Sequence, residues 1–397
     1  MKAMKRASYI LLFGLLILTG AFLFPEAEKK ETNLHEMKHH PSLTEKDPVK
    51  SVPVAQEHTQ ETLEEKVTRI VENMTLQEKI GQLLIVGFDS TQVNEHIQTM
   101  IEKYHVGGVI LYDRNMETSK QVTSLTSELQ TLSSLPLYIS IDQEGGSIVR
   151  MKDHVSPIPS QQDLGKRGSE ADIYSIASRT GKELLAMGIQ LNFAPVLDLS
   201  ETDSRSFGED PKKAAAYGKA AVMGLSDAGV IPTLKHFPGN GRSGVDPHIE
   251  GSSVHADKTD LENSDLFPFK SMIDHVNHDE FFVMVTHLTY PAYDKQNPAS
   301  ISQAIMQDLL RTELGFEGMI VTDDMEMGAV SKHYSYEELG YKSIKAGADL
   351  LLVCHTLENQ VKVINGIEKA IKENRLPLER LEESVKRIIT HKLQYES

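Results

Sequence analysis

Eight short runs rich in Val, Ile and Leu recur along this chain: "QLLIVGF", "VGGVILY", "PLYISID", "LNFAPVLDL", "IPTLKHF", "FFVMVTHL", "GMIVTDD" and "ADLLLVC". Each is close to continuously apolar, the pattern of a parallel strand covered on both faces rather than a half-exposed antiparallel one. The stretches between them are long enough for a helix, and several are amphipathic. In "DIYSIASRTGKELLAMG", for example, Ile173, Ile176, Leu184 and Leu185 fall on or near one face. Eight such units in roughly 320 residues predict an α/β fold, a (β/α)₈ TIM-type barrel as a single domain. An open doubly wound sheet is the alternative. No G-x-G-x-x-G follows the first run, which weakens a dinucleotide-binding version of it.

A barrel of this kind carries its chemistry at the C-terminal ends of its strands. Polar residues gather there: Asp142 and Glu144 after the third run, Asp198 and Arg205 after the fourth, Lys235 and His236 closing the fifth. His287 follows the sixth, and Asp323 and Asp324 close the seventh. In extended backbone neighbouring side chains point to opposite faces, so only one of Asp323 and Asp324 is expected to face the centre. Arg150, Arg205 and Lys235 bring cations near these acids, a combination suited to a polar substrate bearing hydroxyls and amides. After the fifth run, "PGNGRSG" leads to Asp246-Pro247-His248. An Asp beside an imidazole fixes its tautomer and raises the basicity of its other nitrogen. Imidazole itself titrates at about pH 6.5, which suits giving and then taking a proton. The glycines point to a loop that moves during turnover.

The rest of the chain bounds the setting. Residues 1–25 hold Lys2, Lys5 and Arg6, then an apolar run of about 17 residues ending at Pro25, and read as a signal peptide or, on balance, an uncleaved membrane anchor. Residues 26–60 are charged, Pro-containing and without apolar periodicity, a disordered tether in which His35, His39 and His40 are solvated. The folded domain is expected over 61–397, opening with Val67, Ile70 and Val71 at helical spacing and with Thr75 and Glu78 as a capping box. Export places that domain on the outer face of the cytoplasmic membrane, in the wall or outside the cell. A formal net charge of -16 excludes a nucleic-acid partner, which needs a basic surface. The single cysteine, Cys354, permits no intrachain disulfide and reads as a buried small hydrophobe. No H-x-H or H-E-x-x-H helix spacing marks a metal site, no cofactor is implied, and a monomer is expected.

Six ordered segments, "IDQEGGSIVRM", "NFAPVLDL", "RSFGEDP", "KHFPG", "VMVTHLTYP" and "VTDD", together with the Asp246-x-His248 spacing, resemble glycoside hydrolase family 3 and its NagZ-type β-N-acetylglucosaminidases. The resemblance covers roughly residues 64 to 395. It implies Asp323 as catalytic nucleophile, His248 as general acid/base with Asp246 as its partner, and Asp142, Arg150, Arg205, Lys235 and His236 as contacts to a terminal N-acetylglucosamine. The implied reaction is retaining, exo-acting hydrolysis of N-acetylglucosamine-containing glycans or muropeptides from peptidoglycan fragments. Competing readings are a β-glucosidase or an N-acetylglucosaminide phosphorylase on the same scaffold, and a non-catalytic wall-binding protein. Family β-glucosidases take their acid/base from an added domain.

The chain departs from the family pattern at Asn240, where "PGHG" is usual, at Arg242-Ser243, where Asp-Thr is usual, and at Pro247, inside the Asp-x-His. Arg242 is expected to offer a new contact to an anionic group. Two residues keep two readings each. His287 either lines the pocket or is buried and hydrogen-bonded, and Glu144 either meets a ligand or ties down its own Gly-Gly turn.

Overall fold

The structure, a computed structural model, describes residues 61–243 and 251–395. Residues 1–25 and 26–60, and Asp246, Pro247 and His248, lie outside the described residues. Among those residues no helix is long and apolar enough to cross a membrane.

All eight apolar runs supply strands: β1 Leu84–Val86, β2 Gly108–Leu111, β3 Tyr138–Ile141, β4 Leu191–Asn192, β5 Ile231–Phe237, β6 Phe282–Val285, β7 Ile320–Asp324 and β8 Leu350–Val353. They pair in parallel in sequence order and close, β1 lying against β8 through Leu84↔Leu351, Ile85↔Leu352 and Val86↔Val353. The barrel reading therefore holds. Every residue of β1 to β6 and of β8 is buried, which is why the runs lack polar alternation. The fourth run is shorter as a strand than its length suggests. Pro195 has no N–H to offer a ladder, and beyond it the backbone pairs with β5 at an isolated Val196↔Lys235 bridge, with Leu197 N donating to Lys235 O at 2.7 Å.

Local sequence sets the helix starts. Thr75 and Glu78 form the expected capping box, and Thr62, Ser169 and Ser335 head three more. Val67 and Val71 of helix Leu63–Asn73 are buried as the spacing predicts. Helix Glu170–Ala186 buries Ile173 and Leu184, but Leu185 is 42% exposed. Thr180 and Gly181 are buried as well, and a Cβ on Gly181 would stand 2.7 Å from the Ala228 Cβ. At the bottom of the barrel, Asp349 opens β8 and binds Ile320 N at 3.0 Å, Arg311 at 2.5 Å and Arg387 at 2.6 Å. The strand end is thereby tied to the π-helical segment Ala304–Glu313 and to the C-terminal helix Leu378–Tyr395.

Two register shifts shape the mouth. Between Leu234 and Phe237, β5 advances three residues while β6 advances two, and between Val321 and Asp324, β7 advances three while β8 advances two. Each extra residue is a bulge that breaks the alternation of side chains. Lys235 and His236 occupy one bulge, Thr322 and Asp323 the other.

Candidate active site

At the C-terminal end of the barrel a cavity of ≈ 690 Å³ is lined by Asp142, Arg150, Arg205, Lys235, His236 and Asp323, six of the eight residues singled out from sequence. The volume suits a small ligand. Asp324 lines it as well. This corrects the expectation that only one of the two aspartates faces inward: the β7 bulge undoes the two-residue period on which it rested.

The polar wall is a continuous ion-pair network. Glu144, with 3% of its side chain exposed, takes Arg205 through two bonds, Nε at 2.7 Å and Nη2 at 2.9 Å, and Lys235 Nζ at 2.6 Å. Lys235 Nζ also reaches Asp142 Oδ1 at 2.8 Å. Burial opposes charge on Glu144, yet Lys235 and Arg205 outweigh it and draw the carboxyl down to about 2. Burial likewise disfavours the Lys235 ammonium, and Asp142 and Glu144 more than compensate, leaving it raised. Glu144 thus does more than tie its own turn, since it holds Arg205 and Lys235 in one place.

Asp198 buttresses the next wall. Its Oδ2 meets His236 Nδ1 at 2.6 Å, and its Oδ1 accepts from the backbone N–H of His236 at 3.1 Å and of Asn240 at 2.7 Å. These bonds overcome the effect of burial and hold its carboxyl below the ordinary range. Arg205 Nη2 lies 3.5 Å from His236 Nε2. Arg150 donates from Nη1 to Asp113 Oδ2 at 3.3 Å and lies over the Tyr112 ring at 5.2 Å.

Asp323 is half-buried in the cavity wall. Burial pushes its carboxyl up, but His236, His287, the Asp324 N–H at 2.9 Å and Lys235 outweigh that and keep it below the usual carboxylate range. His287 takes the second of its two readings. It is buried, with Nδ1 at 2.7 Å from Ser300 Oγ and Nε2 at 2.9 Å from Asp324 O. A carbonyl accepts only, so Nε2 carries the proton and Nδ1 accepts from the serine, and burial lowers the ring's pKa. Asp324 is a staple. Its Oδ1 accepts from Glu326 N at 3.1 Å and Cys354 N at 3.2 Å, and its Oδ2 sits 3.2 Å from His355 Nε2.

The described start of the fifth loop is held by pairing and packing. Arg242 does not line the cavity; its Nε is paired with Asp265 Oδ2 at 2.7 Å and its Nη2 with Ser264 Oγ at 2.9 Å. Gly239 and Gly241 serve close packing. A Cβ on Gly241 would stand 1.9 Å from Leu199 O, and Gly239 has φ +132° with its carbonyl taken by Tyr290 OH at 2.7 Å. Cys354 is buried, and burial pushes its thiol well up, as for an inert residue. Sequence reasoning passed over Tyr112 and His355, which complete the cavity wall. Each had a signal, because Tyr112 ends the second apolar run and His355 directly follows the eighth.

The family profile described as "Glycosyl hydrolase family 3 N terminal domain" matches residues 75–391. Beta-hexosaminidase A of Pseudoalteromonas piscicida is 32% identical over 330 residues, 75% of this chain and 55% of its own length. Beta-hexosaminidase LpqI of Mycobacterium tuberculosis is 33% identical over 332 residues, covering 79% of this chain and 82% of the relative. Among solved structures, a glycoside hydrolase family 3 beta-N-acetylglucosaminidase from Paenibacillus sp. str. FPU-7 superposes with a TM-score of 0.79 at 37% identity, over 81% of this chain and 63% of that one. The chain therefore spans only part of the length of some of its relatives and most of the length of others.

Proposed function

This chain belongs to glycosyl hydrolase family 3, and from that premise we propose that it is a retaining exo-β-N-acetylglucosaminidase. The observation that carries the reading is Asp323: a half-buried carboxyl, held below its usual range, at the end of β7 in a cavity also lined by paired cations and carboxylates. A glycosidic nucleophile must be anionic at neutral pH, and this environment favours that state.

In the proposed cycle, Asp142, Arg205, Lys235 and His236 hold the sugar hydroxyls, with Arg150 at the rim. An Asp323 oxygen attacks the anomeric carbon as the glycosidic C–O bond breaks. His248, oriented by Asp246, gives its proton to the departing oxygen. Water then enters, His248 takes its proton, and the Asp323 ester is cleaved to release the β-anomer. The support for the His248 and Asp246 roles is their spacing in the sequence after β5. Peptidoglycan fragments are the proposed substrate, following the resemblance to NagZ-type enzymes. Export is proposed from Lys2, Lys5 and Arg6 ahead of the apolar run, and cell fractionation with antibody to the folded domain tests it.

The function itself is tested by incubating the protein with an aryl N-acetyl-β-glucosaminide and following the anomeric protons by NMR, with and without inorganic phosphate. β-N-acetylglucosamine as first product in both is expected. An α first product, sugar 1-phosphate, or a preference for the glucoside would each replace this reading with another.

A further inference from the structure

Deepening that reading and resting on it, we propose that His355 is a specificity-determining residue whose ring, held by Asp324 at the cavity wall, donates from Nδ1 to the carbonyl oxygen of the substrate's 2-acetamido group.

The cavity is chemically divided. The groups proposed to hold hydroxyls, Asp142, Arg205, Lys235 and His236, all come from the ends of β3, β4 and β5. On the β6 flank of Asp323, both ring nitrogens of His287 are already engaged, with Ser300 and the Asp324 carbonyl, and Met284 offers no donor. The β7–β8 flank differs. Met327 and Leu352 give apolar surface, and His355 gives a ring nitrogen. An acetamide on C2, the carbon next to the one Asp323 attacks, needs that pairing: apolar surface for its methyl group and a donor for its oxygen.

His355 is built to present the donor. Its Nε2 is 3.2 Å from Asp324 Oδ2, its ring lies 5.6 Å from Tyr112, and its backbone N–H donates to Glu326 Oε2 at 2.6 Å. No described residue bonds Nδ1, and the side chain is 47% exposed. The charged and titratable groups facing the ring are Asp324 and Glu326 from the end of β7, Arg114 and Tyr112 from the end of β2, and its neighbour Cys354. Asp324, through its bond to the ring and its charge, outweighs burial and Arg114 and raises the ring's pKa, so both nitrogens carry protons over a wider range than in free histidine. A site with a charged donor of this kind discriminates against analogues lacking the acceptor.

The test is calorimetric titration of full-length Asp323→Asn, Asp323→Asn/His355→Ala and Asp323→Asn/His355→Gln with para-nitrophenyl N-acetyl-β-glucosaminide and the matching glucoside. The His355→Ala double variant should bind the N-acetylglucosaminide about 10- to 100-fold more weakly than the parent, the range for losing a hydrogen bond to a charged group, with affinity for the glucoside unchanged. Gln keeps one neutral donor and should lose about 5-fold, so it carries the test if the alanine variant does not fold. Parent-like affinity in the double variants, or equal losses for both sugars, overturns the assignment. A parent that binds only the glucoside sinks the hexosaminidase reading instead, which is a separate result.

Discussion

Replacing Glu144 with Gln keeps the shape of the side chain and removes the charge at the centre of the polar wall. Glu144 is the buried partner of both Arg205 and Lys235, at 2.7 and 2.6 Å. Its carboxyl is drawn from an ordinary 4.5 to about 2, a difference worth about 3 kcal/mol of folding stability. Removing one member of a buried pair costs a similar amount, about 3–5 kcal/mol, because the remaining charge is left uncompensated. Unfolding entropy of about 2.1 cal/mol/K per residue, over a folded part of roughly 330 residues, converts 3 kcal/mol into a fall in Tm of about 4–5 °C. The sign with pH follows from the lowered pKa. The contribution is complete above 4.5, the ordinary value, and is lost as pH falls towards about 2. Scanning calorimetry of wild type and E144Q should therefore show the full gap at neutral pH and a narrowing one below pH 4.5. Lys235 retains Asp142, but Arg205 loses its buried carboxylate, so KM for the N-acetylglucosaminide should rise as well. Equal Tm values at neutral pH, or a gap that persists undiminished into acid, would refute the reasoning.

Asp349→Ala strands Arg311, Arg380 and Arg387 around an empty site at the barrel bottom. It should lower stability by about 3–5 kcal/mol, read as a shifted urea midpoint, without altering the cavity chemistry of what remains folded. Gly241→Ala places a methyl group 1.9 Å from Leu199 O. The turn must move, taking the Asn240 N–H off Asp198, and kcat/KM should fall at least about 10-fold while circular dichroism stays native. Wild-type kinetics in that variant would show that the turn's position does not matter.

The barrel was legible because a parallel strand buried on both faces leaves an unmistakable apolar run, and all eight runs became strands. The mouth was legible because polar residues crowd the strand ends. What local pattern could not carry was pairing and register. The two-residue period misdirected the reading of Asp323 and Asp324 because the extra residue in β7 is visible only against β8. The partnership of Glu144 with Arg205 and Lys235 joins residues 61 and more positions apart, and nothing near Glu144 announces it. Arg242 looked available in sequence, but Asp265, from a different segment, holds it. His355 was missed for a related reason: its value lies in Asp324 and Tyr112, neither of them its neighbour in sequence.

The central step of the proposed cycle is the esterification of one carboxylate by the sugar. Trapping the enzyme with a slow fluorinated N-acetylglucosamine analogue and mapping the labelled peptide by mass spectrometry tests this directly. The label should sit on Asp323 and be missing from Asp323→Asn. A label on Asp324 or elsewhere, or turnover with inverted configuration and no label at all, would contradict it.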